Sequence, residues 1–316
     1  MKQIILILFC VLNCVLSFDL TAQTRRDGES LFNEKRYQEA YDVYEKLMVK
    51  YPKDNLLKYQ VGRCLYEMGR YDEAKVLFEK VVEKDVVKAN YYLYDIYFSE
   101  YRFSDADLAI TAYLSSLGAE GEEVEECNAK KLKAEFAMKM LDRVEDIAVV
   151  DSVKLDRSNF LSAYNLSRDL GKLALYSKVY DELTEQPQLI YYTGRGDKMI
   201  FSNKEAEGDL NLKVSYRLVD GWSESLSLSS VLNTNYDENF PFELSDGVTL
   251  YFASEGHNSL GGYDIFLTRY SGTINDYSKP INIGMPFNSP ANDYLYVIDE
   301  ISNIGWFATD RFQHED

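Results

Sequence analysis

Two kinds of hydrophobic spacing divide this chain. In the first half, apolar residues recur at three- and four-residue intervals, the spacing of helices with one buried face. From about residue 188 they alternate in short runs between turn residues, the spacing of strands. Residues 21–54 and 55–88 read as two copies of one unit, because GRYDEA (69–74) echoes KRYQEA (35–40). Tyr37 then matches Tyr71, Ala40 matches Ala74, Gly28 matches Gly62 and Tyr44 matches Phe78. The 34-residue spacing is that of stacked helical hairpins. Small residues on both helices predict a close antiparallel approach, with Tyr44, Leu47, Phe78 and Val81 filling the interface. A third copy, two residues shorter, puts Phe103, Ala106, Ile110 and Tyr113 in the same roles and ends its helix at Gly118. A further helix over 122–143, with Leu132, Phe136, Met140 and Val144 as its stripe, is expected to cap the stack.

The clearest strand unit spans 242–284. FEL, SDG and VTLYFAS make a hairpin whose Asp246-Gly247 pair accepts the positive φ of a tight turn. The loop EGHNSLGG (255–262) leads to a third strand, YDIFLTRY (263–270), and a fourth follows near KPINIG. An earlier copy reads LIYYT, a GRGD turn, KMIFSN and LNLKVSYRL, with Trp222 in the place of Tyr277 and Asn233 in that of Asn288. A later copy starts as DYLYVID and GWFATDR. Phe201, Phe252 and Phe307 thus recur about fifty-odd residues apart, the period of four-stranded propeller blades. Between the halves, IAVVDSVKL (147–155) is β-branched enough to form an extra strand that pairs into a blade. The predicted class is α+β and multidomain: a helical solenoid over 23–145, a junction over 146–187, and about two and a half antiparallel blades of an incomplete β-propeller over 188–316.

Composition narrows the partners. A net charge of -18 with no cluster of Lys and Arg argues against nucleic acid, whose phosphates would be repelled. Lys2, the apolar run 4–16 and Ala22 read as a signal peptide cleaved after residue 22, which directs the chain to the periplasm or outer membrane. No other stretch reaches the roughly 18 apolar residues of a membrane span. Cys10 and Cys14 fall in the signal, leaving Cys64 and Cys127 as free buried thiols rather than a disulfide framework.

At the repeated residues the first half resembles the tetratricopeptide repeat family, over about 21–120: the small residue, Tyr, Ala, aromatic and Pro52 stand at family positions in the first copy. Copy two has Val86 where the family has proline, and copy three is shortened. The resemblance implies a groove lined by first-helix residues that binds a protein partner. Carried over position by position, the groove residues are Arg25, Glu29 and Phe32, then Tyr59, Arg63 and Tyr66, then Tyr91, Asp95 and Phe98. Aromatic residues and Arg are the types enriched at binding hot spots.

DGVTLYFAS, GGYDIF and NIGMPFNSPANDYLYVID resemble the TolB-type, WD40-like propeller repeats of Gram-negative envelope proteins. Helical repeats followed by such blades are similar to an OmpA-family group that includes outer-membrane scaffolds of type IX secretion. That group often continues into a peptidoglycan-binding domain, and its propellers close with about four to eight blades. With fewer than three blades and no such domain, this chain is read as a truncated member.

The search for chemistry yields little. His257 reads as an exposed loop residue and His314 stands apart from metal-ligand patterns. GHNSLG fails the nucleophile-elbow spacing at Ser259. Arg195-Gly196-Asp197 reads as a hairpin turn, and Asp264 as a cap on blade hydrogen bonds. No catalytic residue, metal site or cofactor is assigned. The functional expectation is a non-enzymatic envelope scaffold holding a protein partner; a carbohydrate- or peptidoglycan-related site at the propeller mouth is the alternative.

Overall fold

The computed structural model describes residues 25–84, 86–144, 146–156, 159–180, 188–204 and 208–311. The signal-peptide reading, with Cys10 and Cys14, and His314 lie outside the described residues. The chain divides into two compact units near residue 136.

In the first unit, three hairpins succeed one another: α1 (25–33) with α2 (Tyr37–Lys50), α3 (Asn55–Glu67) with α4 (Tyr71–Val82), and α5 (Ala89–Ser99) with α6 (Phe103–Leu114). Each hairpin turns on one left-handed residue, Lys35 (φ 60°), Gly69 (φ 73°) or Tyr101 (φ 61°). The amide of that residue and the next bond back to the preceding helix, as in Arg70 N to Leu65 O at 2.9 Å, so two orphan carbonyls are satisfied. An arginine then opens each second helix and pairs one turn ahead: Arg36 with Glu39, Arg70 with Glu73 and Arg102 with Asp105, at 2.6 to 2.7 Å. Asp54 caps α3, accepting the amides of Leu56 and Leu57.

The hairpins close over the expected residues. Ala40, Ala74 and Ala106 are fully buried, beside Tyr44, Phe78 and Ile110. The glycines on the first helices admit the aromatic rings: a Cβ on Gly62 would lie 2.7 Å from Phe78 Cε1, and one on Gly28 would lie 2.8 Å from the Tyr44 ring.

A seventh helix, α7 (Glu122–Leu141), follows, but its buried face differs from the expected stripe. Leu132 is 65% exposed and Val144 42%, whereas Cys127, Ala134 and Ala137 are fully buried. Leu132 stands about 200° around the helix from Ala134. Small residues at 127 and 134 let the helix lie close to its neighbours, and long side chains at 94, 113, 123 and 131 complete the contact through hydrogen bonds.

The second unit carries three antiparallel sheets. The first runs β1 (Lys172–Leu175), β2 (Leu189–Tyr192), β3 (Lys198–Lys204), β4 (Leu210–Leu218) and β5 (Gly221–Trp222), with β6 (Leu226–Ser227) also on β4. The second runs β7 (Glu238–Glu243), β8 (Thr249–Ser254), β9 (Asp264–Ser271) and β10 (Asp276–Tyr277), with β11 (Ile281–Asn282) on β9. The third pairs β12 (Asp293–Asp299) with β13 (Ile304–Thr309).

The junction does supply a strand, but at 172–175 and not at 147–155. Residues 146–156 have no regular structure, and Val149 and Val150 are 74% and 81% exposed. Val149, Val150 and Val153 have the propensity of a strand without an apolar face to lie against, and propensity alone does not hold a strand. Leu173 and Leu175 instead pack with Leu189 and Tyr191.

Aromatic and aliphatic side chains bind the sheets together. Ile200, Leu212 and Val214 of the first sheet share a core with Leu250, Phe252 and Phe266 of the second. Tyr191, Phe242, Leu295 and Val297 join all three, with Phe160 and Leu170 from the junction. The first strands of the second and third sheets each carry a bulge at one register, where Phe240 (φ 55°) and Leu295 (φ 52°) adopt left-handed backbone. Both side chains are buried, and this packing holds a conformation that costs of order 1–3 kcal/mol in a non-glycine residue.

Candidate functional site

The nine residues assigned to the groove lie along α1, α3 and α5, and most of them bond to the neighbouring hairpin. Glu29 accepts from Tyr44 Oη at 3.0 Å and from Gln60 Nε2 at 3.2 Å, and Arg63 Nη1 lies 3.4 Å away. Arg63 also donates to Gln60 Oε1 at 2.7 Å and to Tyr92 Oη at 3.3 Å, and its guanidinium covers the Phe32 ring at 3.9 Å from the centroid. Tyr66 Oη donates to Asp95 at 3.1 Å, and Asp95 in turn receives Lys130 Nζ at 2.5 Å. Tyr91 Oη donates to Glu126 at 2.5 Å. Arg25 pairs with Asp54, the cap of α3. Tyr59 and Phe98 are buried, Tyr59 against Phe78 and Tyr92, and Phe98 between Tyr94 and Phe103.

The result is a ladder in which charge alternates from hairpin to hairpin: Glu29 and Arg63, then Asp95 and Lys130. Arg63, Asp95 and Lys130 retain part of their surface, at 16%, 30% and 19% of the side chain, and Glu29 retains 42%. Tyrosine hydroxyls bridge the charged rungs, and burial beside Asp95 raises the Tyr66 phenol above its ordinary range. Such a face offers fixed donors, acceptors and rings, already ordered by the stack. Sequence reasoning missed Gln60, Tyr92, Glu126 and Lys130. Lys130 stands 35 residues after Asp95, close to one repeat period, and that spacing is the signal that would have found it.

Cys64 and Cys127 are free and buried, and burial pushes the Cys64 thiol up to about 12, so it packs as an unreactive apolar group.

In the second unit a polar bracket recurs with the sheets. The segments Asn-Thr-x-x-Asp-Glu (233–238) and Asn-Ser-x-x-Asn-Asp (288–293) occupy the same place in successive repeats. Asn233 accepts Leu212 N at 2.8 Å and donates to Leu212 O at 3.1 Å, while Asn288 does the same for Ile265 at 2.7 and 2.8 Å. These amides extend the ladder beyond the pairs at Lys213 and Phe266 that end β6 and β11, and share the two carbonyls with Leu228 N and Ile283 N. Asp237 then accepts Leu210 N at 2.7 Å, and Asn292 accepts Tyr263 N at 2.9 Å. The buried carboxylates Glu238 and Asp293 are held by Thr234 and Ser254, and by Ser289 and Arg311.

Asp264 accepts Leu260 N at 2.9 Å and Asn282 Nδ2 at 2.6 Å, and burial pushes its carboxyl up to about 7. His257 is half-buried and not exposed: its ring packs on Phe252 and Phe266, and Nε2 lies 2.8 Å from Leu232 O. The Arg195-Gly196-Asp197 turn joins β2 to β3, with Gly196 at φ 67°. Among the described residues no cluster of His, Cys, Asp and Glu is arranged to hold a metal, and no helix is long and apolar enough to cross a membrane.

Residues 31–93 match the tetratricopeptide repeat family. No curated protein matches the chain. Among solved structures, the Sgt2 TPR domain from Aspergillus fumigatus is similar over 44% of this chain and 93% of that one, at 15% identity and a TM-score of 0.35.

Proposed function

We propose that the chain is a non-enzymatic scaffold of the cell envelope that holds a protein partner along its first helices. Tetratricopeptide repeats serve protein interaction, and the finer reading here names the face and the compartment. The observation that carries it is the ladder of Glu29, Arg63, Asp95 and Lys130 with Tyr66, Tyr91 and Tyr92. It runs across α1, α3, α5 and α7, partly exposed and ordered before any partner arrives. Its arginine and tyrosines are of the types that concentrate binding energy.

In this reading the sheets of the second unit are blades of TolB type and supply a second contact surface. The recurrence of the 233–238 bracket at 288–293 supports a blade repeat. The reading assigns no reaction to the chain, in keeping with buried carboxylates that are held by donors within the second unit. Export rests on the pattern of residues 1–22, and the intact mass of the protein from an envelope fraction tests it: a mass that includes residues 1–22 overturns that part.

The face itself is tested with a photo-crosslinking amino acid at Gln60 or Tyr91 in cells, with Val49, 76% exposed on α2, as the reference position. The expected result is a partner adduct from positions 60 and 91 and none from position 49. Adducts from position 49 alone, or from none of the three, overturn the reading.

A further inference from the structure

A second site lies on another face of the same unit. A cleft of about 430 Å³ opens between α4, α5 and α6. Leu93, Leu108 and Ala109 give it an apolar side, and Glu79, Glu83 and Asn90 a polar one. None of the nine groove residues lines it.

Asn90 marks this cleft as more than a surface depression. It is 7% exposed, and its backbone amide bonds to Val87 O, yet its side-chain amide has no hydrogen-bond partner among the described residues. Asn90 lines the cleft, so a ligand seated there can pair with this amide. In the register that matches Tyr59 with Tyr91, the preceding hairpin has Lys58 at this position, and its ammonium is taken up by Asn55 Oδ1 at 3.3 Å. The open amide is therefore specific to the third hairpin.

Charge then selects the occupant. Glu79 on α4 and Glu83, which caps it, stand one turn apart; among the described residues Glu79 accepts only the Tyr97 hydroxyl, at 2.9 Å, and Glu83 is in no ion pair. The arginine of the cleft, Arg102, is already held by Asp105 at 2.7 Å and lies over the Tyr97 ring at 4.2 Å. Two carboxylates thus face outward uncompensated. An amide that both donates and accepts matches one peptide bond.

We propose that this cleft binds an extended basic peptide segment, with a peptide bond on Asn90, a lysine or arginine between Glu79 and Glu83, and an adjacent leucine-sized side chain against Leu93 and Leu108. The site is separate from the first-helix face and does not depend on it.

The test uses the full chain, labelled with ¹⁵N, and two acetylated pentapeptides, Ala-Lys-Leu-Lys-Ala and Ala-Glu-Leu-Glu-Ala. The basic peptide should move the side-chain amide signals of Asn90, and the acidic one should not. The Glu79→Gln/Glu83→Gln variant changes only exposed groups and should weaken binding roughly three- to tenfold. Asn90→Leu should abolish the site while the far-ultraviolet dichroism stays unchanged. Equal binding of both peptides overturns the proposal. So do shifts spread over the acidic surface with Asn90 unmoved, the signature of non-specific attraction to a chain of net charge -18.

Discussion

The side-chain amide of Asn288 bonds to both backbone groups of Ile265, at 2.7 and 2.8 Å, and so acts as one more residue of strand. Asn288 and Ile265 are both fully buried. Replacing Asn288 with leucine keeps the approximate volume but strands the Ile265 amide away from water, while the carbonyl keeps the Ile283 amide at 3.2 Å. We expect a loss of about 1–3 kcal/mol from one unpaired buried group. Asn233→Leu should cost less, because its bond to the Leu212 carbonyl, at 3.1 Å, is longer and its site is partly exposed. Urea unfolding followed by tryptophan fluorescence measures both, since Trp222 and Trp306, the two tryptophans of the chain, lie in the second unit. Equal stability of Asn288→Leu and the parent would remove the strand-mimic role.

Gly62 and Phe78 form a size pair in the second hairpin. A methyl group on Gly62 would lie 2.7 Å from Phe78 Cε1, closer than side chains come, so the ring must shift. Gly62→Ala should destabilise the helical unit by about 1–3 kcal/mol, the usual range for overpacking, despite alanine's better helix propensity. Adding Phe78→Leu should recover part of the loss. A thermal melt by circular dichroism decides it, and additive effects in the double variant would mean that the two residues do not couple.

Asp264 gives the second unit a pH dependence of known sign. Its folded carboxyl is pushed up to about 7 by burial, with Asp293 adding to the rise and the Leu260 amide and Asn282 opposing it. A raised carboxyl binds its proton more tightly when folded. Its stabilisation is therefore complete below about pH 4 and is lost as pH climbs to about 7, at up to about 1.4 kcal/mol per pH unit. Glu238, Glu243 and Asp293 are shifted in the same direction by burial, so the comparison must be with Asp264→Asn. That variant should show a visibly flatter stability profile between pH 4.5 and 7.5 by tryptophan-detected unfolding. An unchanged slope would assign the dependence to the other carboxylates.

The junction separates two valine- and leucine-bearing segments by exposure. Amides at 149–153 should exchange within the dead time of a hydrogen-exchange experiment, and a protease should cut there first. Those of β1 that bond to β2 should be protected. Slow exchange at 149–153 would show a partner strand there after all.

The helical hairpins were legible because their repeat is carried by residues that touch within one unit: Gly62 meets Phe78, and Ala74 and Val81 lie on the same face. The hairpins of the sheets were legible for the same reason, through Asp246-Gly247 and the alternation of Leu250 and Phe252. The stripe of α7 and the strand at 147–155 were misread because both depend on what lies opposite. Leu132 and Val149 are apolar, but no apolar surface faces them.

The groove residues show the same divide. Their positions followed from the repeat, but only the packed hairpins decided that Arg63 stacks on Phe32 and that Asp95 takes Lys130. The open amide of Asn90 and the rung supplied by Asn288 belong to that second kind. Local periodicity, caps and turn residues were determined by the sequence itself, since they depend on neighbours within one or two turns of chain. Which polar group finds a partner and which stays open was decided by the tertiary structure, because desolvation and hydrogen bonding act through space and not along the chain.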